Sequence, residues 1–140
     1  MADLELVASS CAAFNLRRAS RMVTRRFEQA LRPVNLSSFQ FTALVAISKA
    51  GSLPQTRLAD AMGMDVSTLT RNLKPLIHRQ LVVRNAHKED GRVKLISITD
   101  EGKSVLKTAL PLWEKAQAAT LKDLSSAEWA TLKEAIRALA

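Results

Sequence analysis

One stretch of the sequence decides the fold, and it runs Leu58-Ala59-Asp60-Ala61-Met62-Gly63-Met64-Asp65-Val66-Ser67-Thr68-Leu69-Thr70-Arg71-Asn72-Leu73. Gly63 separates two segments with helical periodicity, and Asp65 is of a residue type preferred at helix N-caps. We therefore predict a short helix that ends near Met62 and a second helix from Val66 to about Arg79. Two helices joined by a tight turn that contains glycine form a helix-turn-helix pattern.

The second predicted helix has one apolar and one polar face. A helical wheel groups the apolar side chains of Leu69, Leu73, Leu76 and Ile77. The opposite face carries hydroxyl and basic side chains and no carboxylate after Asp65; it consists of Ser67, Arg71, Lys74 and His78, flanked by Thr68 and Thr70. A solvated helix face usually mixes both signs of charge, so this face favours contact with phosphates and base edges. Pro75 removes one backbone hydrogen bond, and we expect a bend there.

Two strand candidates follow the helix-turn-helix pattern, at residues 81–85 and 92–98. The Asp90-Gly91 pair between them is a strong hairpin signal. A basic hairpin directly after a helix-turn-helix is a wing. Its cationic tip, from Lys88 to Lys94, suits the minor groove or the backbone of a nucleic acid.

Helical patterns also flank this central region. Residues 3–31 show an apolar repeat without Gly or Pro, which predicts one helix roughly 44 Å long. Capping-box patterns at residues 37–40 and 125–128 start two further helices, and Pro54 and Thr99 stand at the start of two others. The apolar stripes of residues 4–31 and 129–139 need more cover than one small lobe supplies. We therefore predict an obligate dimer with two-fold symmetry.

Charge is unevenly distributed along the chain of 140 residues. Lys and Arg number 21 against 13 Asp and Glu, which gives a net charge of +8. Residues 95–140 carry six basic and six acidic side chains, so the entire excess lies in residues 1–94. A basic region beside a neutral one indicates a polyanion-binding face and a separate region with another role.

Several other classes of protein are disfavoured. No apolar run approaches the roughly 18 residues of a membrane span, and the N-terminus lacks the basic start and apolar core of a secretory signal. Cys11 is the only cysteine, so an intrachain disulfide is excluded and a reducing cytoplasm is the expected location. His78 and His87 are the only histidines, and the sequence has neither a nucleophile elbow nor a glycine-rich phosphate loop. We therefore expect a protein that is not an enzyme and holds no metal or cofactor.

Three segments together resemble the MarR family of bacterial transcription regulators. They are residues 15–21 (Asn-Leu-Arg-Arg-Ala-Ser-Arg), residues 58–73 quoted above, and Asp90-Gly91-Arg92 followed by Ile98-Thr99-Asp100-Glu101-Gly102. The last segment is similar to the family pattern D-x-R…L-T-x-x-G, with Ile98 in place of the leucine. The resemblance covers nearly the whole chain, in order and with short loops.

The resemblance implies a mainly α fold with a small β-hairpin wing, that is, a winged helix-turn-helix with a helical dimerisation lobe. In a single chain of residues 1–140, residues 37–99 would form the DNA-binding lobe, and residues 1–36 and 100–140 would form the dimerisation lobe. The implied function is that of a homodimeric, sequence-specific regulator that binds double-stranded DNA. Our interpretation is a repressor that a small aromatic or anionic effector releases from its operator.

The candidate DNA contacts come from the helix-turn-helix and the wing. Side chains in the first turns of a recognition helix reach base edges, so we assign base reading to Ser67, Thr68 and Arg71 and a phosphate contact to Lys74. A narrow minor groove concentrates negative potential, which suits Arg92. The resemblance gives this arginine the same role, with the aspartate bracing the wing. We expect Asp90 to orient Arg92 or another nearby arginine and not to touch DNA, although it could merely make the turn. The complete candidate set is Gln55, Arg57, Ser67, Thr68, Thr70, Arg71, Lys74, Lys88, Asp90, Arg92 and Lys94.

Two further candidate sites each have two interpretations. One branch of the family senses organic hydroperoxides through a cysteine near the start of the first helix, which makes Cys11 a redox candidate. Its place on the apolar stripe suits a core residue instead. A second group could hold an anionic ligand at the junction of the lobes, while its arginines could instead approach DNA or pair with acidic groups; it consists of Phe14, Arg17, Arg18 and Arg21.

A nonspecific architectural DNA-binding protein is the alternative function. It predicts that no operator sequence is preferred and that the affinity for every DNA sequence depends alike on the salt concentration. A regulator predicts a pseudo-palindromic site that wins in competition with random DNA.

Overall fold

The computed structural model describes residues 3–140, which form seven α-helices and three short strands. The helices are α1 (Leu4–Ser10), α2 (Ala12–Leu31), α3 (Ser38–Ala50), α4 (Gln55–Ala61), α5 (Val66–His78), α6 (Asp100–Leu121) and α7 (Ser126–Ala138), with a 3-10 turn at Arg32–Val34. The strands are β1 (Ser52–Pro54), β2 (Val82–Ala86) and β3 (Lys94–Ile98). This architecture confirms the predicted fold class, which is mainly α with a small β wing.

The strands form one antiparallel sheet in the order β1-β3-β2. The predicted hairpin of β2 and β3 is confirmed with shifted bounds, and its register runs from Val82 opposite Ile98 to Ala86 opposite Lys94. The prediction of only two strands was wrong, because β1 pairs with the other edge of β3. β1 has three residues and ends in proline, so it is too short to show an alternating pattern. Pro54 is accordingly the N-cap of α4 and not its first helical residue.

The core lies where α3, α4 and α5 meet the sheet and α6. The apolar stripe predicted on α5 is confirmed, since its three leucines are fully buried and Ile77 packs against them. Pro75 does not end α5, which continues to His78. The large side chains that are fully enclosed include Leu44, Ile47, Leu58, Leu69, Leu73, Leu76 and Ile96.

The start of α6 is fixed against the connection between α5 and β2. The hydroxyl of Thr99 accepts a hydrogen bond from the Gly102 backbone N–H at 3.0 Å and lies 2.6 Å from the carbonyl of Gln80, to which it donates. A Cβ atom at Gly102 would lie 2.1 Å from the backbone oxygen of Leu81. Only glycine permits this approach, so the Thr99-to-Gly102 segment holds α6 against the helix-turn-helix.

The first helical region is broken, and the prediction of one continuous helix over residues 3–31 was wrong. α1 ends at Ser10, and Cys11 has an extended backbone with ψ of 113°. The side-chain amide of Asn15 donates to the carbonyls of Ser9 and Cys11, at 3.1 and 3.0 Å. Side chains that bond nearby backbone groups compete with helical hydrogen bonds, which accounts for the break.

Both predicted capping boxes are confirmed. Ser37 and Gln40 exchange side-chain and backbone hydrogen bonds at the start of α3, and Ser125 and Glu128 do so at the start of α7. The backbone N–H of Ser125 lowers the pKa of Glu128 because it donates to the ionised carboxylate. The turn of the helix-turn-helix has Gly63 at φ of 67°, a conformation that favours glycine.

Candidate nucleic-acid interface

α5 presents the predicted polar face to solvent. Ser67, Arg71 and Lys74 are exposed, whereas the leucines of the same helix are buried. Arg57, on α4 of the same helix-turn-helix, is also exposed. Basic groups and hydroxyls therefore share one accessible surface with no carboxylate on the helix itself, and such a surface is suited to phosphates and base edges.

The first turn of α5 is organised by Asp65, its N-cap. One carboxylate oxygen accepts the backbone N–H of Thr68 at 2.7 Å and the hydroxyl of Ser67 at 2.6 Å. The other oxygen accepts the hydroxyl of Thr68 at 2.9 Å. These bonds lower the pKa of Asp65 from 3.8 to about 2, and the bond from the Ser67 hydroxyl has the largest effect. The carboxylate is therefore ionised at neutral pH and can only accept hydrogen bonds.

Gln55 and Thr70 lie between the two helices of the motif and not on its outer surface. Gln55 is only 8% exposed, and its amide donates to the hydroxyl of Thr70. That hydroxyl in turn donates to the carbonyl of Val66 at 2.8 Å. The structure thus gives these two predicted DNA contacts a position that ties α4 to α5, because the Gln55 amide nitrogen and the Thr70 hydroxyl are bonded to each other, while Gln55 Oε1 is buried without a partner among residues 3–140.

The wing tip is held in shape by Asp90. The backbone N–H of His87 donates to the carbonyl of Val93 at 2.8 Å, and this bond closes the hairpin loop. One oxygen of the Asp90 carboxylate accepts both the backbone N–H of Arg92 at 3.1 Å and its Nε at 3.2 Å. The side chain of Arg92 is nevertheless 93% exposed. The Asp90 carboxylate therefore contacts both the backbone of the turn and the side chain of the arginine.

Two lysines complete the basic surface of the wing. Lys88 is exposed at the tip, and Lys94 lies at the start of β3 with its ammonium group 3.3 Å from the carbonyl of Gly91. Both lysines and Arg92 thus belong to the same hairpin, so the wing forms a second basic surface in addition to α5.

The residues predicted to hold a ligand lie on one open face of α2. Phe14, Arg17, Arg18 and Arg21 are all exposed on α2, and none of them lines the polar cavity at its C-terminal end. That cavity has a volume of about 540 Å³, and the sequence interpretation missed its lining residues: Arg25, Glu28, Gln29, Arg32, Asn35, Leu36, Ser37 and Gln40. Arg25 and Arg32 are seven positions apart, which is about two turns of helix, and this spacing alone did not predict the cavity because it forms only where α2 meets the start of α3.

Arg79 links this cavity to the recognition helix. It is the C-cap residue of α5, and its guanidinium donates to the carbonyls of Val34 and Asn35. Asn35 has a left-handed backbone with φ of 52° and lines the cavity. The end of α5 is therefore fastened to the same short segment that closes one side of the cavity.

Cys11 lies at the break between α1 and α2 and not in the core. Its side chain is half-buried and unbridged, and it occupies the N-cap position of α2 without a side-chain capping bond. Residues 3–140 hold no group of three or more His, Cys, Asp or Glu side chains that could bind a metal ion.

An apolar surface formed by α2, α6 and α7 lacks cover from the rest of residues 3–140, and we call it the uncovered face. It surrounds a groove of about 560 Å³ whose apolar lining includes Leu16, Val23, Phe27, Leu121, Leu124, Trp129, Leu132 and Ile136. Among residues 3–140, the exposed large hydrophobic residues other than Val66 and Val83 lie in α1, α2, α6 or α7, in the turn before α7 or, for Leu139, at the C-cap of α7. None of the helices within residues 3–140 is long and apolar enough to span a membrane.

The fold and the two basic surfaces define a winged helix-turn-helix protein. Comparison with known proteins agrees with this class. The sequence profile of the MarR family matches residues 36–94. The Mycobacterium tuberculosis transcriptional regulator MosR, solved in complex with DNA, is 35% identical, with 93% of each chain covered and a TM-score of 0.84.

Two other proteins extend the comparison. The organic hydroperoxide resistance transcriptional regulator of Bacillus subtilis is 28% identical, with 86% of each chain covered. A mutant of E. coli MarR bound to operator DNA shares the fold, with a TM-score of 0.87 over 99% of each chain at 22% identity. The chain therefore belongs to the MarR family. It is a DNA-binding transcriptional regulator and not an enzyme.

Proposed function

We propose that the protein is a homodimeric repressor that binds a specific sequence in double-stranded DNA and is released by a small anionic or aromatic effector. The observation that carries this proposal is the exposed face of α5, where cations and hydroxyls occur without a carboxylate. The basic wing beside it extends the same surface. A dimer bound across an operator that overlaps a promoter would exclude RNA polymerase.

In this proposal the side chains divide into three roles. Ser67, Thr68 and Arg71 read base edges in the major groove, because they lie in the first turns of the recognition helix. Arg92 enters the minor groove with Asp90 as its brace. Phosphate contacts come from the remaining exposed cations, Arg57, Lys74, Lys88 and Lys94. Gln55 and Thr70 act from inside the motif by holding α4 and α5 together.

The division into lobes belongs to the same proposal. Residues 37–99 form the DNA-binding lobe, and residues 1–36 with 100–140 form the dimerisation lobe. The uncovered face is the support for the second lobe, since so large an apolar surface needs a partner. We propose that the partner is a second copy of this chain, because a two-fold axis buries the same face on both copies and leaves neither face exposed.

We place the effector in the polar cavity beside α2. Arg25 and Arg32 line it and favour an anionic group, and its volume of about 540 Å³ accommodates a small molecule. Arg79 joins one wall to the recognition helix through Asn35. A ligand that displaces this segment would therefore shift α5 relative to the dimer partner and alter the distance between the two recognition helices.

Competition binding tests the central claim. We expect a selected pseudo-palindromic operator to outcompete random DNA at fixed salt, whereas a nonspecific architectural protein would bind both equally.

A pair of substitutions on α5 tests the division of roles. Arg71→Ala should cost about 1–3 kcal/mol of binding free energy on the operator and relax the sequence preference of the protein. Lys74→Ala is the matched control on the same helix, since loss of a phosphate contact weakens binding to all sequences alike. Equal weakening of every sequence by both variants would contradict the division of roles.

Cys11 supports a second candidate function, the sensing of oxidants. The thiol lies at the N-cap of α2, at the only break in the N-terminal helical region that the structure describes, and a relative is a hydroperoxide-resistance regulator. Residues 3–140 contain no second cysteine, so a sulfenic acid formed here would need an external thiol to resolve it. If this function holds, cumene hydroperoxide abolishes operator binding by the wild type and leaves Cys11→Ser bound. Loss of binding in both proteins, or in neither, would exclude it.

A further inference from the structure

The hydroxyl protons at the start of α5 are already committed within the protein. The Ser67 and Thr68 hydroxyls lie 2.6 and 2.9 Å from oxygens of the Asp65 carboxylate. An ionised carboxylate has no proton to give, so in both bonds the hydroxyl is the donor. The lowered pKa of Asp65, about 2, keeps the carboxylate ionised across the physiological range.

Each hydroxyl that has given its proton retains only acceptor capacity. A serine or threonine oxygen has one proton and two lone pairs. Ser67 is exposed, so its lone pairs are open to a base edge, and Thr68 beside it is half-buried. Thr70 differs, because its hydroxyl donates to Val66 and also accepts from Gln55. The hydroxyls of Ser67 and Thr68 are therefore left as acceptors, whereas the hydroxyl of Thr70 already donates one hydrogen bond and accepts another within the protein.

The major groove offers few donors to meet such acceptors. Adenine N6 and cytosine N4 present amino groups there, whereas guanine O6 and N7 and thymine O4 are acceptors. We propose that Asp65 is a specificity-determining residue: it orients the hydroxyls of Ser67 and Thr68 as acceptors, so the contacted bases are adenine or cytosine and not guanine or thymine. Arg71, which can only donate, then reads the acceptor edge of guanine nearby.

This inference rests on the proposed base-reading role of Ser67 and Thr68, so the experiment first locates their bases. Operators are selected from random DNA with the wild type, Ser67→Ala and Thr68→Val, and the positions whose preference changes are the contacted ones. We expect adenine or cytosine at those positions with the wild type. If neither variant changes any position, the base-reading role fails and the inference falls with it. If the positions change but carry guanine or thymine, base reading survives and the assigned polarity is wrong.

Asp65→Asn then tests the aspartate itself. Asparagine is as good an N-cap as aspartate, so α5 should be retained, which circular dichroism checks. Its amide can accept one hydroxyl proton but donates to the other hydroxyl, and that second hydroxyl becomes free to donate toward DNA. We expect the preference for adenine and cytosine over guanine and thymine at one contacted position to fall on the order of tenfold.

Asp60→Asn is the matched control for loss of one negative charge. Asp60 is exposed on α4 and makes no side-chain bond to the hydroxyls, so its variant should alter affinity alike on all sequences. An unchanged preference in Asp65→Asn would overturn the role given to Asp65.

A test independent of any variant replaces adenine at the contacted position with purine, which lacks the N6 amino group. Wild-type binding should weaken on the order of tenfold, and undiminished binding would overturn the inference.

Discussion

Gly102 illustrates how one missing side chain fixes the position of a helix. A Cβ atom there would lie 2.1 Å from the backbone oxygen of Leu81, which cannot rotate away. Gly102→Ala gains about 1 kcal/mol of helix propensity but overpacks the contact, which typically costs about 1–3 kcal/mol. Because the clash is with backbone, we expect a net loss of about 1–2 kcal/mol in unfolding free energy, measured by urea denaturation. Gly91→Ala is the control, since nothing lies within 4 Å of its Cβ position; equal stabilities would contradict the packing role.

We propose that Asp90 both makes the turn and orients Arg92, and two substitutions separate those tasks. Asparagine forms the same turn but lacks the charge that holds the guanidinium 3.2 Å away. Arg92→Ala should weaken operator binding strongly, and Asp90→Asn should weaken it less, because the arginine remains but is no longer oriented. Fluorescence anisotropy on the operator measures both. Wild-type binding by Asp90→Asn would contradict the brace, and wild-type binding by Arg92→Ala would contradict the minor-groove role.

Asp65 also gives the first turn of α5 a defined dependence on pH. Its pKa is lowered from 3.8 to about 2 in the folded protein, so its contribution to stability is full above about pH 4 and is lost as the pH falls toward 2. Asparagine does not titrate. The difference in Tm between the wild type and Asp65→Asn should therefore be constant from pH 7 to about 4 and change in favour of the variant below that. A difference that stays constant down to pH 2 would contradict the predicted titration.

Among the secondary-structure elements, those fixed by local chemistry could be predicted from the sequence. The N-caps Asp65 and Thr99 and both capping boxes are recognisable because their hydrogen bonds join residues two to four positions apart. β1 was missed, since three residues show no period and pair with a strand more than forty positions away. The break at Cys11 was missed because the apolar repeat continues across it and only the Asn15 amide bonds reveal it.

The candidate site divides in the same way. The exposed polar face of α5 followed from helical periodicity alone. The burial of Gln55 did not, because it depends on how α4 packs against Thr70, fifteen positions along the chain. The cavity lined by Arg25 and Arg32 was also beyond the sequence, since it exists only where α2 meets the start of α3, and its link to Arg79 spans more than forty positions.

For the molecule as a whole, the uncovered face determines the assembly we expect. A monomer would leave the groove between α2, α6 and α7 in water, whereas a two-fold dimer would bury it on both copies. In that dimer the two recognition helices enter successive major grooves about 10 to 10.5 bp apart. Sedimentation at micromolar concentration should therefore detect a dimer, and a folded monomer there would contradict the assembly.

A charge placed on the uncovered face should separate the copies without unfolding either one. Ile136 is 44% exposed in the single chain, so Ile136→Glu costs the monomer little but would bury an unpaired carboxylate in the dimer. We expect sedimentation as a folded monomer and loss of operator binding, because one recognition helix alone keeps only half of the contacts. Val83→Glu is the matched control for the oligomeric state and should remain dimeric, since Val83 is 40% exposed but lies on β2, away from the uncovered face. If Ile136→Glu remains dimeric, the interface lies elsewhere; if it is monomeric yet binds the operator as tightly as the wild type, the dimer is not required for recognition.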